Sequence, residues 1–113
     1  MLQAVINGAT IHVPAVWKLE VINALAVAER RKKVAPAKSA KFLSDLQQFT
    51  ITVDIDGLDQ VFSTVLDQAR LYQRSAYDAS YLELAQRRGL PFATKDEPLR
   101  KAAAALGIAI FQP

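Results

Sequence analysis

Apolar residues recur at helical spacing through residues 58–72, with Leu58, Val61, Phe62, Val65, Ala69 and Tyr72 on one side. Asp59, Gln60, Ser63, Asp67 and Gln68 fall mostly opposite. That period predicts an amphipathic helix opened by Gly57. Residues 15–28 are almost wholly apolar, broken only by Lys18, Glu20 and Asn23. They predict a buried helix running to about residue 33, with Pro14 suited to its first turn. A further helix is predicted over residues 36–49, with Ala40, Leu43 and Leu46 on one side, and residues 51–55 alternate like a strand. Ser75 is placed to cap a helix over residues 76–88, and Gly89 to end it in a left-handed turn. Short strands are predicted at residues 11–13, 92–94 and 108–111, and a helix at residues 97–106 with Pro98 in its first turn. Residues 1–8 read as the tail of a helix, with Leu2, Val5 and Ile6 at helical spacing before Gly8. Alternation of short apolar strands with helices predicts a parallel sheet covered on both faces, with its site at the carboxyl ends of the strands.

Composition narrows the chemistry. At 113 residues, 51% hydrophobic and 22% charged, the chain is sized and balanced for one domain, residues 1–113, with a packed core. It has no cysteine and one histidine, His12, so thiolate and zinc-cluster sites are out of reach and any bound metal must be held by oxygen. No apolar run reaches bilayer length, and the N-terminus lacks the order of a secretion signal, so the expectation is a cytoplasmic protein without a membrane role. The net charge of +3 is compatible with a polyanion partner but does not demand one.

Three acids break the apolar patterns. Glu20 has Val16, Trp17, Asn23, Ala24 and Val27 as neighbours on its side of the helix. A carboxylate there must be paired with a base, protonated, or bound to a cation, because an unpaired buried charge costs several kcal/mol. Asp78 lies in the first turn of its helix on the apolar side, where it either faces a site or simply complements the helix dipole. Asp96 follows a strand and precedes a helix, as a site residue or an ordinary N-cap. From a helix interior, a helix start and a strand end, the three can converge on one crevice and hold a hard divalent ion.

The segments Val13-Pro14-Ala15-Val16-Trp17-Lys18-Leu19-Glu20-Val21-Ile22-Asn23-Ala24-Leu25, Ser75-Ala76-Tyr77-Asp78-Ala79-Ser80-Tyr81-Leu82-Glu83-Leu84-Ala85 and Ala93-Thr94-Lys95-Asp96-Glu97-Pro98-Leu99, in that order, resemble a PIN-domain ribonuclease. The likeness spans about residues 2–110 and is strongest to the toxins of bacterial VapBC modules. It implies an α/β, PIN-like three-layer fold with a mostly parallel central sheet covered by helices. It also implies an Mg2+- or Mn2+-dependent endoribonuclease in which Glu20, Asp78 and Asp96 are the catalytic, metal-binding acids. Asn23, Ser75 and Thr94 match polar positions around them. A VapB-like antitoxin, an RNA substrate and a homodimer or higher oligomer are the implied partners.

The family's opening strand, which ends in an aspartate and lies mid-sheet, has no counterpart in this sequence. The expectation is therefore a domain missing that strand, with a partner chain or a rearranged terminus covering the gap. Three acids instead of four predict lowered metal affinity and weak cleavage by the isolated chain. The competing function is a catalytically weakened module that binds an antitoxin or its own copy. A phosphate-receiving signalling domain needs an acid on an early strand, and none is present. Lys18 and Arg74 are the RNA-binding candidates. The Arg30-Arg31-Lys32-Lys33 run suits a solvated helix end. Trp17, Tyr77 and Tyr81 are expected to pack in the core rather than stack on bases.

Overall fold

The computed structural model describes residues 3–111. Its sheet has four strands in the order β3-β2-β1-β4, where β1 is Ala4–Asn7, β2 Thr10–Pro14, β3 Thr50–Asp54 and β4 Phe92–Ala93. Five α-helices accompany it among the described residues: α1 (Trp17–Arg30), α2 (Pro36–Leu46), α3 (Leu66–Tyr72), α4 (Ala76–Arg88) and α5 (Glu97–Ala105). The α/β class is as expected.

The N-terminal segment is a strand, not a helix tail. Val5 and Ile6 are β-branched, and Gly8 takes φ 58°, which lets a two-residue turn close a hairpin with Asn7 opposite Thr10. Leu2, which contributed to the helical reading, lies outside the described residues. β1 pairs antiparallel with β2 on one side and β4 on the other, while β2 and β3 run parallel. The sheet is therefore mixed, and the mid-sheet place between β2 and β4 is filled by β1 of the same chain. Val5, fully buried there, sits in the same core as Val13, Tyr81, Leu82 and Phe92. The expected last strand contributes a parallel bridge from Ile110 to Phe92, closed by hydrogen bonds from Phe92 N to Ala109 O and from Phe111 N to Phe92 O.

Two helical expectations change. Pro14 ends β2 instead of starting α1, and α1 buries only Trp17 and Val21 while Leu19 is 73% exposed. Residues 58–72 do not form one α-helix. The chain passes from a 3-10 turn (Asp56–Gln60) through a π turn (Val61–Val65) into α3. These changes of pitch rotate the apolar stripe, so Val65 and Gln68 face inward and Phe62 is 93% exposed. By contrast α4 starts at its Ser75 cap and ends at Gly89 with φ 64°, as its flanking residues dictate. Its five consecutive residues Tyr81–Ala85 are all buried, and it packs on β1 and β2.

The carboxyl end of β3 is tied to α4 by an ion cluster that has no signature in the sequence. Arg87 donates from Nε and Nη2 to Glu83 at 2.7 and 3.1 Å, and from Nη1 and Nη2 to Asp54 at 3.2 and 2.6 Å. The Gly57 amide donates to Asp54 at 2.9 Å. A Cβ on Gly57 would stand 2.9 Å from Asp54 Oδ2 and 3.0 Å from Glu83 Oε1, so glycine is required by this close approach. Burial pushes the Asp54 carboxyl up, but the Arg87 hydrogen bonds and charge and the Gly57 amide outweigh it and hold the group below its ordinary value. Arg87 is held further above the usual guanidinium range by its bonds to Glu83 and Asp54. A lowered folded value means that Asp54 stabilises fully above the ordinary 3.8 and loses that contribution as the pH falls through the folded value. Urea unfolding midpoints are expected to drop steeply below about pH 4, and Arg87→Met should flatten that dependence while lowering the midpoint at neutral pH. A parent and variant with parallel pH curves would rule the linkage out.

Candidate active site

Ser75, Asp78 and Tyr81 line the start of α4, and Thr94 and Asp96 lie between β4 and α5, so one strand end and one helix start frame the site. Local hydrogen bonds set both aspartates. Ser75 Oγ accepts from the Asp78 amide at 3.0 Å, which caps α4 and fixes its first turn. Thr94, buried, accepts from the Asp96 amide through Oγ1 at 3.2 Å, and Asp96 Oδ1 in turn caps α5 by accepting from Leu99 N at 2.9 Å. Asp96 is thus an N-cap whose second oxygen is free of the cap.

That second oxygen meets Arg74. Arg74 Nη2 donates to Asp96 Oδ2 at 2.9 Å and to Asp78 Oδ2 at 3.3 Å, so one guanidinium nitrogen joins the two aspartates. Gln3 Nε2 donates to Asp78 Oδ1 at 3.3 Å. The structure therefore brings Asp78 and Asp96 together. Arg74 points into the pair rather than outward as an RNA contact.

Glu20 is held apart from that pair. It is half-buried, and the Tyr81 hydroxyl donates to its Oε1 at 2.8 Å. Tyr81 is one turn along α4 from Asp78. Burial, the hydrogen bond to Glu20 and the charges of Glu20 and Asp78 all push the phenol well above its ordinary value, which keeps it protonated and donating. The alternatives considered for Glu20 were a base, a proton or a cation; the structure supplies a phenol. Among the described residues no three acidic side chains are grouped closely enough to share a metal ion.

Asn23 is exposed and, with Glu20, Val16, Leu19, Ala24 and Tyr77, lines a shallow cleft of about 510 Å³. Lys18 lies on a different side of α1, in the cleft shared with Leu43, Leu46 and Phe49 of the α2 region, away from the aspartate pair. Trp17 and Tyr81 are in the core as expected, but Tyr77 is exposed. Sequence reasoning missed Gln3, whose chain segment was assigned to a helix, and the hydroxyl role of Tyr81, which was taken only as packing. A tyrosine one turn from a site aspartate was the available signal for the latter.

The PIN domain family model matches residues 2–105, and the chain belongs to the PIN domain family. No curated protein matches it. PIN domains have a nuclease-type fold and generally depend on divalent metal. The donors here suit such an ion: two carboxylates from separate elements already converge on one cationic nitrogen, all donors are oxygen, and magnesium is commonly held by one or two carboxylates with water completing its shell. Asp78 and Asp96 are the residues that would hold it. Among the described residues no helix is long and apolar enough to cross a membrane.

Removing the phenol should expose how Glu20 is held. Tyr81→Phe is expected to lose about 1.5–3 kcal/mol in urea unfolding, the range for a hydrogen bond to a charged group. Glu20→Ala should then cost less in the Tyr81→Phe background than in the parent. Additive losses would show that the two side chains are not coupled.

Proposed function

We propose that the chain is an Mg2+- or Mn2+-dependent endoribonuclease of the VapC toxin type, working in the cytoplasm on an RNA substrate. The observation that carries this reading is the convergence of Asp78 and Asp96 at a strand end and a helix start within a PIN domain. A bound divalent ion supplies Lewis-acid polarisation of a phosphate oxygen and acidification of water. The protein's own part is orientation. Ser75 and Thr94 hold the Asp78 and Asp96 amides, which aims the carboxylates at a common point. Tyr81 occupies one oxygen of Glu20, leaving Oε2 to accept a proton from water. The catalytic set of this reading is Glu20, Asp78 and Asp96, in which the two aspartates hold the ion and Glu20 acts as base, with Asn23 beside it at the rim of the cleft.

Because Glu20 stands off the aspartate pair, cleavage by the isolated chain is expected to be slow. Incubation of purified protein with structured RNA and Mn2+ should give weak, chelator-sensitive cleavage that falls to background in Asp78→Asn. Cleavage unchanged by that substitution would overturn the assignment.

A second reading is favoured by the surface. Leu19 and Ile22 on α1, and Leu58, Phe62 and Leu71 in the segment from the 3-10 turn through α3, are large apolar side chains left in water. Such side chains gathered on exposed elements mark association surfaces. On this reading the chain is a weakened PIN module that binds a VapB-like antitoxin or pairs as a homodimer. Sedimentation of the isolated chain should then give a mass above the 12.4 kDa of one copy, returning to that mass in a Leu19→Ser, Phe62→Ser variant. A parent that sediments as one copy at all concentrations would exclude self-association.

A further inference from the structure

α4 carries an arginine-bridged acid pair at each end, and the two are built differently. At its C-terminal end Arg87 uses Nε, Nη1 and Nη2 against four carboxylate oxygens, and both acids are 5% exposed. That is a fork-on-carboxylate bridge whose acids are closed to water, although the Arg87 side chain itself is 26% exposed. At the N-terminal end Arg74 meets both aspartates through the single nitrogen Nη2, and Asp78 and Asp96 are 21% and 34% exposed. Its Nε is buried without a hydrogen-bond partner among the described residues. An unpaired buried donor on a charged group is unfavourable, so Arg74 is held at this point by the bonds of one nitrogen and by charge, with its geometry only partly satisfied.

The backbone agrees. Arg74 lies in the break between α3 and α4, after Gln73 in the left-handed region with φ 52°, where its side chain is not locked on a helix face. The pair it neutralises carries two negative charges against its one, so a divalent ion entering between the aspartates neutralises them more completely than the guanidinium does.

We infer that Arg74 is the protein's own exchangeable counter-cation at the Asp78–Asp96 pair. It occupies the point where a divalent metal would bind and competes with that metal for the same two carboxylate oxygens. The inference rests on the metal site of the proposed function and adds a control on its occupancy. Expelled from the pair, the guanidinium would stand at the edge of the same site, where an RNA phosphate is the anion it can meet next. Metal entry and phosphate capture would then be coupled through one side chain, and Arg87, with every nitrogen engaged, has no such freedom.

Mn2+ affinity tests this without recourse to cleavage, by titrating the metal alone and following loss of the free-ion electron paramagnetic resonance signal. Arg74→Gln should bind Mn2+ about ten-fold tighter or more than the parent, the size of effect that a neighbouring unit charge exerts on a carboxylate. Arg74→Lys, which keeps the charge, should stay close to the parent, and Asp78→Asn placed on Arg74→Gln should return binding to background. Thermal unfolding is the second readout. Arg74→Gln should melt below the parent without metal and gain more from added Mn2+ than the parent gains. Equal affinity and equal metal-induced gain in parent and Arg74→Gln would overturn the exchange role while leaving the metal site in place. Absence of Mn2+ binding in the parent and in a folded Arg74→Gln alike would remove the metal site itself, and the exchange role with it.

Discussion

Carboxylates taken out of water must meet a cation or a hydrogen-bond donor, and in this protein that requirement organises the surroundings of α4. The helix carries Asp78 in its first turn and Glu83 in its last half, and each is drawn to an acid from another element, Asp96 after β4 and Asp54 at the end of β3. Like charges do not gather unaided. Arg74 and Arg87 are what allow the pairs to form, and each pair anchors α4 to a strand end. Glu20 meets the same demand with a neutral partner, the Tyr81 phenol, which ties α1 to the middle of α4. The position of each of these five acids thus follows from what neutralises or solvates it.

The difference between the two arginine bridges separates architecture from chemistry. The Arg87 cluster engages all three guanidinium nitrogens and requires a glycine at position 57 to make room for it. The Arg74 bridge is open to solvent and leaves a donor unmatched. In a nuclease-type domain the open bridge is the one placed where a strand end meets a helix N-terminus, the position in such folds where ligands bind. The same helix therefore has one end whose acids are closed to water and one whose acids are open to it.

The sheet shows how a β-strand's unpaired backbone can be satisfied from within the chain. β2 and β4 each need a neighbour for their N–H and C=O groups, and β1 supplies both ladders while running opposite to the parallel direction of β2 and β3. Its direction comes from the tight turn at Gly8, since a two-residue loop can only return the chain antiparallel. Gln3, just before β1, is carried to Asp78 by the same geometry.

Much of this was legible along the chain where local signals decide. Ser75 and Gly89 bound α4, Pro36 starts α2, and Asp96 with Pro98 starts α5, because caps and ring constraints act within a few residues. Three ordered segments also carried the family. The N-terminal strand was misread because Val5 and Ile6 fit a helical spacing as readily as a strand, and only pairing with β2 and β4 distinguishes them. The long amphipathic pattern of residues 58–72 was misread because a change to 3-10 and π pitch leaves composition untouched while turning Phe62 outward. Sequence alone determined which residues are acids, where α4 begins and ends, where α5 begins, and that a PIN domain would form. Which acids share a cation, that Arg74 is that cation, and that Glu20 answers to Tyr81 were decided by tertiary structure, because electrostatic pairing depends on distance through space, and the partners lie 4 to 61 positions apart along the chain.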